Sequence, residues 1–165
     1  MKILILGGDG YLGWPTAMHL SSAGHEVTVV DNYMRRITAE QTDSNPLMIA
    51  PLLSERAKHY KELTGNTINV RIGDLSNAEF TFSVFKETIP DSVIHYAEQP
   101  SAPYSMRGFN EAKLTLDNNL RVTFNCIWAT KEIVPNAHII KLGTMGEYGT
   151  PNIDIEEGWL EVEHR

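Results

Sequence analysis

The chain has 165 residues, enough for one domain with a sizeable core. Lys and Arg number 14 against 21 Asp and Glu, and the net charge of −7 argues against a nucleic-acid or acidic-membrane partner. No apolar stretch reaches the roughly 18 residues that a bilayer span needs, and the single cysteine, Cys126, excludes an intrachain disulfide and fits a reducing compartment.

MKILIL runs straight into a glycine motif, so no signal or transit segment is read and a cytoplasmic protein is expected. Lys2 to Leu6 is a short apolar strand of the kind buried in a parallel sheet. Gly7 to Gly13 forms a turn, and a helix follows over Tyr11 to Ala23, with Pro15 in its first turn and Gly24 as its stop. Glu26 to Val30 is the second strand, ending at Asp31. The alternation then breaks: a polar loop is expected over Thr38 to Pro46, and a helix near Leu53 to Leu63 that Gly65 ends. Thr67 to Ile72 is the third strand, Phe80 to Glu87 a short helix, and Ser92 to Ala97 the fourth strand. After a proline-interrupted loop (Glu98 to Arg107), Asn110 to Lys131 is the longest helix, with Leu114, Leu120, Phe124, Ile127 and Trp128 favouring one face. In this helix Cys126 reads as a buried position rather than a reactive thiol. Ala137 to Leu142 is the fifth strand. Alternating strands and helices imply an α/β fold with a doubly wound parallel sheet and right-handed crossovers.

Gly7, Gly10 and Gly13 form G-x-x-G-x-x-G between a strand and a helix. Such a turn leaves bare backbone for a pyrophosphate and rests the anion on helix N–H groups. A purely structural turn has the same glycines, but Asp31 at the end of the next strand can hold ribose hydroxyls, and together they point to a Rossmann-type site for NAD. Arg35 and Arg36 could instead meet a 2′-phosphate, remain solvated or face the cofactor's own phosphates; the carboxylate of Asp31 favours NAD over NADP. Asp74 closes the third strand, where it could accept from an adenine amino group. His95 reads as a satisfied core histidine, and Asn118 or Asn119 as pointing to the cofactor or a loop carbonyl. Thr144 follows the fifth strand: a capping residue by itself, or a hydroxyl positioned for a substrate hydroxyl. The six histidines show no ligand spacing, so no metal is expected.

GGDGYLG, DNYMRR, GDL, VIHYAEQ, DNN and GTMGEYG, in this order, resemble the extended short-chain dehydrogenase/reductases that act on nucleotide sugars. EQ-x-SAPYSM at Glu98 to Met106 and KLGTMGEYGTPNIDIEEG at Lys141 to Gly158 narrow the resemblance to the UDP-sulfoquinovose synthase family. That resemblance implies NAD as cofactor, UDP-glucose and sulfite as substrates, and a homodimer. The family's chemistry removes a hydride from the sugar 4-position, loses the 6-hydroxyl, adds sulfite and returns the hydride. It would put Gly7, Gly10, Tyr11, Leu12 and Gly13 at the pyrophosphate, with Arg35 and Arg36 also on the cofactor. Asp31 and Asn32 would hold the ribose, Asp74 and Leu75 the adenine, and Asn118 would lie near the cofactor. Thr144 would bond the sugar 4-hydroxyl, with Gln99, Ser101, Tyr104 and Glu147 on the substrate.

Three departures qualify this. Related 4,6-dehydratases carry an Asp-Glu pair where this chain has Met145-Gly146, which suits the sulfonate branch. Pro100 stands where the synthase pattern has an arginine, a group suited to an oxyanion. The family's Tyr-x-x-x-Lys pair is absent, so residues 1–165 are expected to be an NAD-binding domain that stops before that pair and the sugar-binding part, with the sheet incomplete at its carboxyl end. Another nucleotide-sugar epimerase or dehydratase, or a non-catalytic NAD-binding module, are the alternatives.

Overall fold

The run Lys2–Leu6 forms the central strand, β1, and its alternate side chains feed two separate cores. Ile3 and Ile5 join Trp14, Ala17, Val27 and Leu53 on one face of the sheet. Leu4 and Leu6 join Phe85, Val93, Val122 and Cys126 on the other. Burial on both faces is why this strand reads as unbroken apolar sequence rather than as an alternation. The computed structural model describes residues 1–44, 46–144, 146, 149–150, 155, 158–159 and 161.

Among the described residues the remaining elements are α1 (Gly13–Ser22), β2 (Glu26–Asp31), α2 (Met34–Gln41), α3 (Leu53–Thr64), β3 (Ile68–Ile72), α4 (Ala78–Thr88), β4 (Ser92–His95), α5 (Ala102–Ser105), α6 (Phe109–Ile133) and β5 (His138–Lys141). The strands are all parallel, in the order β3-β2-β1-β4-β5. Helices α1 and α3 cover one face; α4 and α6 cover the other. The chain runs outward from β1 through β2 to β3, then crosses back to β4 on the opposite side. Leu6 is in register with Val30 on one side and His95 on the other, so the strand ends open a crevice at this reversal.

Local signals set the helix ends. The Glu55 carboxylate accepts the Leu52 N–H at 3.0 Å, and Gly65 stops α3 with φ +77°. Asn77 Oδ1 accepts the Phe80 N–H at 3.1 Å and caps α4. No described helix is long and apolar enough to cross a membrane.

Two expectations need correction. Residues Thr38 to Gln41 are not loop but the second half of α2. That helix buries none of its residues, so it carries no apolar stripe to read; it is tied down through Asn32 Oδ1, which accepts the Met34 N–H, and through the Arg36 side chain. The large apolar residues of α6 do share a face, but it points outward: Leu120, Phe124 and Ile127 are 63%, 60% and 50% exposed. The buried face consists of Asn118, Val122, Asn125, Cys126, Ala129 and Thr130. Short side chains let α6 lie close, and its polar groups are satisfied there: Asn125 Nδ2 donates to the Leu75 and Ser76 carbonyls at 2.9 and 3.1 Å. Cys126 is buried as expected, and burial pushes its thiol up to about 11, away from reactivity.

Candidate functional site

The glycine turn leaves β1 and enters α1 with close backbone packing. Gly7 has φ +89°, and a Cβ on it would stand 2.7 Å from the Tyr96 carbonyl carbon. A Cβ on Gly13 would collide with the Gly7 carbonyl oxygen, while one on Gly10 would meet only that oxygen, at 3.3 Å. The helix start therefore presses on the turn, and the side above Gly10 stays open. No side chain caps the amino end of α1, and no acid lies in its first turn. Such an end favours an anion.

A cleft of about 420 Å³ opens at this point. It brings together Gly7, Gly10, Tyr11, Leu12 and Gly13 with Asp31, Asn32 and Arg35, and adds Asp74, Leu75 and Asn118 from beyond β3 and from α6. Asp31 is fixed by two backbone donors: the Asp9 N–H reaches Oδ2 at 2.9 Å and the Tyr33 N–H reaches Oδ1 at 2.7 Å. Burial raises its pKa above the ordinary 3.8, and these N–H groups partly oppose the rise. Asp74 is exposed, and its Oδ1 accepts the Ser76 N–H at 2.8 Å.

Other expected residues lie differently. The Arg36 guanidinium is taken up by Asp9, with Nε to Oδ2 at 2.6 Å and an NH2 donor to Oδ1 at 2.7 Å. Gln99 and Ser101 use their side chains inside the loop after β4. Gln99 Oε1 accepts the Ser101 N–H, its Nε2 donates to Thr115 Oγ1, and Ser101 Oγ accepts the Tyr104 N–H. Asn119, not Asn118, meets the loop carbonyl: its Nδ2 donates to the Gln99 oxygen at 3.2 Å. Thr144 is exposed beyond β5, and its Oγ1 accepts the Gly146 N–H at 3.3 Å; the neighbouring Leu142 and Gly143 reach the cleft. Glu147 lies outside the described residues.

Among the lining residues that the sequence did not mark as part of a site are Asp9, Glu98 and His95. Asp9 lies within the glycine turn itself. Its carboxylate pairs with Arg36 and Arg56, and a half-buried acid needs such a counter-charge. Glu98 lines the cleft and pairs with Lys141 at the end of β5, at 2.6 Å. His95 reaches the cleft from β4. It is buried as expected, with Nε2 3.3 Å from Thr123 Oγ1, but its Nδ1 has no partner among the described residues. Burial lowers its pKa to about 4, so it is neutral at physiological pH. Among the described residues no group of three or more His, Cys, Asp or Glu is placed to hold a metal ion.

Residues 3–163 match the NAD dependent epimerase/dehydratase family. The chain belongs to that family. Among its relatives, the chloroplastic UDP-sulfoquinovose synthase of Spinacia oleracea is 45% identical over 99% of this chain and 34% of its own length. The UDP-sulfoquinovose synthase of Sulfolobus acidocaldarius is 43% identical over 95% of this chain and 40% of its own. The chain thus spans between a third and two fifths of these relatives. Among solved structures, UDP-glucose 4-epimerase from Bifidobacterium longum, in complex with NAD+ and UDP, superposes with a TM-score of 0.71. It is 25% identical and covers 93% of this chain and 40% of that one.

Proposed function

We propose that this chain is the NAD-binding part of a UDP-sulfoquinovose synthase, which makes UDP-sulfoquinovose from UDP-glucose and sulfite. The observation that carries the reading is the identity to two such synthases, 45% and 43% over nearly the whole chain, against 25% to the epimerase structure. The cleft fits the cofactor: a bare glycine backbone at an uncapped helix start suits a diphosphate, and an oriented carboxylate suits a ribose diol.

Bound NAD would supply the acceptor for the sugar's hydride and its later donor. Gly7, Gly10, Tyr11, Leu12 and Gly13 would hold the pyrophosphate, and Asp31 with Asn32 the adenosine ribose. Asp74 and Leu75 would flank the adenine; Arg35 would stand at the rim and Asn118 within the cleft. Thr144 would hydrogen-bond the sugar 4-hydroxyl, helping its proton leave. Tyr104 and Glu147 would meet the sugar, while Gln99 and Ser101 would shape the loop that faces it.

No Tyr-x-x-x-Lys occurs in the chain, and hydride transfer would need that pair from the rest of the protein. The chain alone would bind NAD without turnover. A soluble, reducing compartment is proposed; the spinach relative's name places that protein in the chloroplast. A homodimer belongs to the same reading, supported by the outward apolar stripe of α6, which a second copy would cover.

Pro100 favours one competing reading, an epimerase, because it lines the cleft where the synthase pattern has a guanidinium. UDP-glucose offered with and without sulfite to the chain joined to the segment bearing the Tyr/Lys pair separates the two. A sulfonated nucleotide sugar that forms only with sulfite supports the synthase. A 4-epimer formed regardless of sulfite overturns it.

A further inference from the structure

We infer that Asp9 is a specificity-determining residue, which holds Arg36 and Arg56 away from the ribose and so keeps the site selective for NAD over its 2′-phosphorylated form. This deepens the proposed NAD site and rests on that reading. The sequence places two arginines just after β2, where a guanidinium suits a 2′-phosphate. The structure ties one of them down. Arg36 gives two donors to the Asp9 carboxylate, at 2.6 and 2.7 Å, in a fork-to-fork pair. It gives two more to the Ala50 and Pro51 carbonyls, at 2.6 and 2.9 Å. Four of the five guanidinium donors are thereby committed.

Arg56 approaches Asp9 from α3. Its guanidinium bonds Asp9 Oδ1 and lies 4.8 Å above the Trp14 ring. Asp9 sits between the two with a side chain only 9% exposed. The same residue aims its backbone N–H at Oδ2 of Asp31. The ribose carboxylate is oriented by the residue that sequesters Arg36 and Arg56, so a 2′-phosphate would meet Asp31 with those two guanidiniums already committed and with Arg35, on the cleft wall, left to offset the repulsion.

Calorimetric titration of NAD and NADP into the chain tests this with Asp9→Asn, Arg36→Ala and their combination. Asparagine keeps the backbone N–H to Asp31 and removes the charge. The expected result is a parent that prefers NAD, and an Asp9→Asn variant whose preference narrows about tenfold or more through tighter NADP binding. Adding Arg36→Ala should restore the preference, and Arg36→Ala alone should not weaken NADP more than NAD. An Asp9→Asn chain that keeps the parent's ratio overturns the inference, as does selective loss of NADP affinity in Arg36→Ala. If Asp9→Asn gives no cooperative melt, the Arg36→Ala titrations decide in the same two directions. A parent that binds neither nucleotide overturns the NAD reading itself; a parent that binds NAD with an unmoved ratio in Asp9→Asn overturns this inference alone.

Discussion

The backbone N–H of Asp9 donates to Oδ2 of Asp31 at 2.9 Å, joining the glycine turn to the end of β2. The bond leaves the carboxylate oriented before any ligand arrives. Because burial raises the pKa of Asp31, the ionised form is costly in the free protein and its charge is lost on acidification above the ordinary 3.8. Ribose hydroxyls donate to the ionised form, so NAD affinity should be full above the raised pKa and should fall as pH drops through it. Asp31→Asn should weaken NAD about tenfold at pH 7.5 and flatten the profile. NADH fluorescence titrations from pH 7.5 down towards the ordinary carboxylate range check both; an Asn variant that binds as tightly as the parent would sink this role.

Asn119 clasps the backbone of Gln99, accepting its N–H at 2.8 Å and donating to its carbonyl at 3.2 Å. Gln99 is buried, so Asn119→Ala leaves two buried groups unpaired and should cost about 1–3 kcal/mol in urea unfolding. Asn119→Asp keeps the acceptor but sets a carboxylate oxygen against the Gln99 carbonyl, so it should not restore the parent's stability. Equal stability of Ala variant and parent would show that the clasp contributes nothing.

His95 predicts an acid sensitivity. Its folded pKa of about 4 lies below the ordinary 6.5, so between those values the unfolded chain takes up a proton that the folded chain refuses. Stability should therefore fall as pH drops from 6.5 towards 4, with His95 contributing up to about 3 kcal/mol. Urea midpoints at pH 6.5 and 4.5 should diverge less in His95→Gln than in the parent. An identical drop in both would assign the acid sensitivity to other groups.

Much of the fold was legible in the sequence because strands buried on both faces leave continuous apolar runs, as at Lys2–Leu6, and because Gly24 and Gly65 stop helices with positive φ. Helix α2 was not legible, since its hold comes from Arg36 reaching Asp9 and two loop carbonyls rather than from buried residues. The orientation of α6 runs against the pattern for a related reason: its packing face is made of Asn, Thr, Cys, Ala and Val122, and its largest apolar residues face out. In the site, Gly7, Gly10, Gly13 and Asp31 could be grouped from spacing alone. Asp9 could not, because its partners Arg36 and Arg56 lie far along the chain, on different helices.

The outward stripe on α6 carries a prediction of its own. Phe124 and Trp128 are in ring contact, 5.9 Å between centroids, and Leu120 lies one turn away. Apolar surface arranged along one helix is suited to helix–helix contact. The 18.5 kDa chain should sediment as a dimer, and Leu120→Lys with Phe124→Lys should give a folded monomer. A parent that stays monomeric at every concentration would contradict the homodimer.

The most direct measurement is a calorimetric titration of NAD into the purified chain, repeated with Gly10→Val, which would fill the open side of the turn. One NAD should bind per chain, with binding lost in the Gly10→Val chain while its cooperative melt is retained. No heat of binding in the parent, or equal binding in the folded Gly10→Val chain, would contradict it.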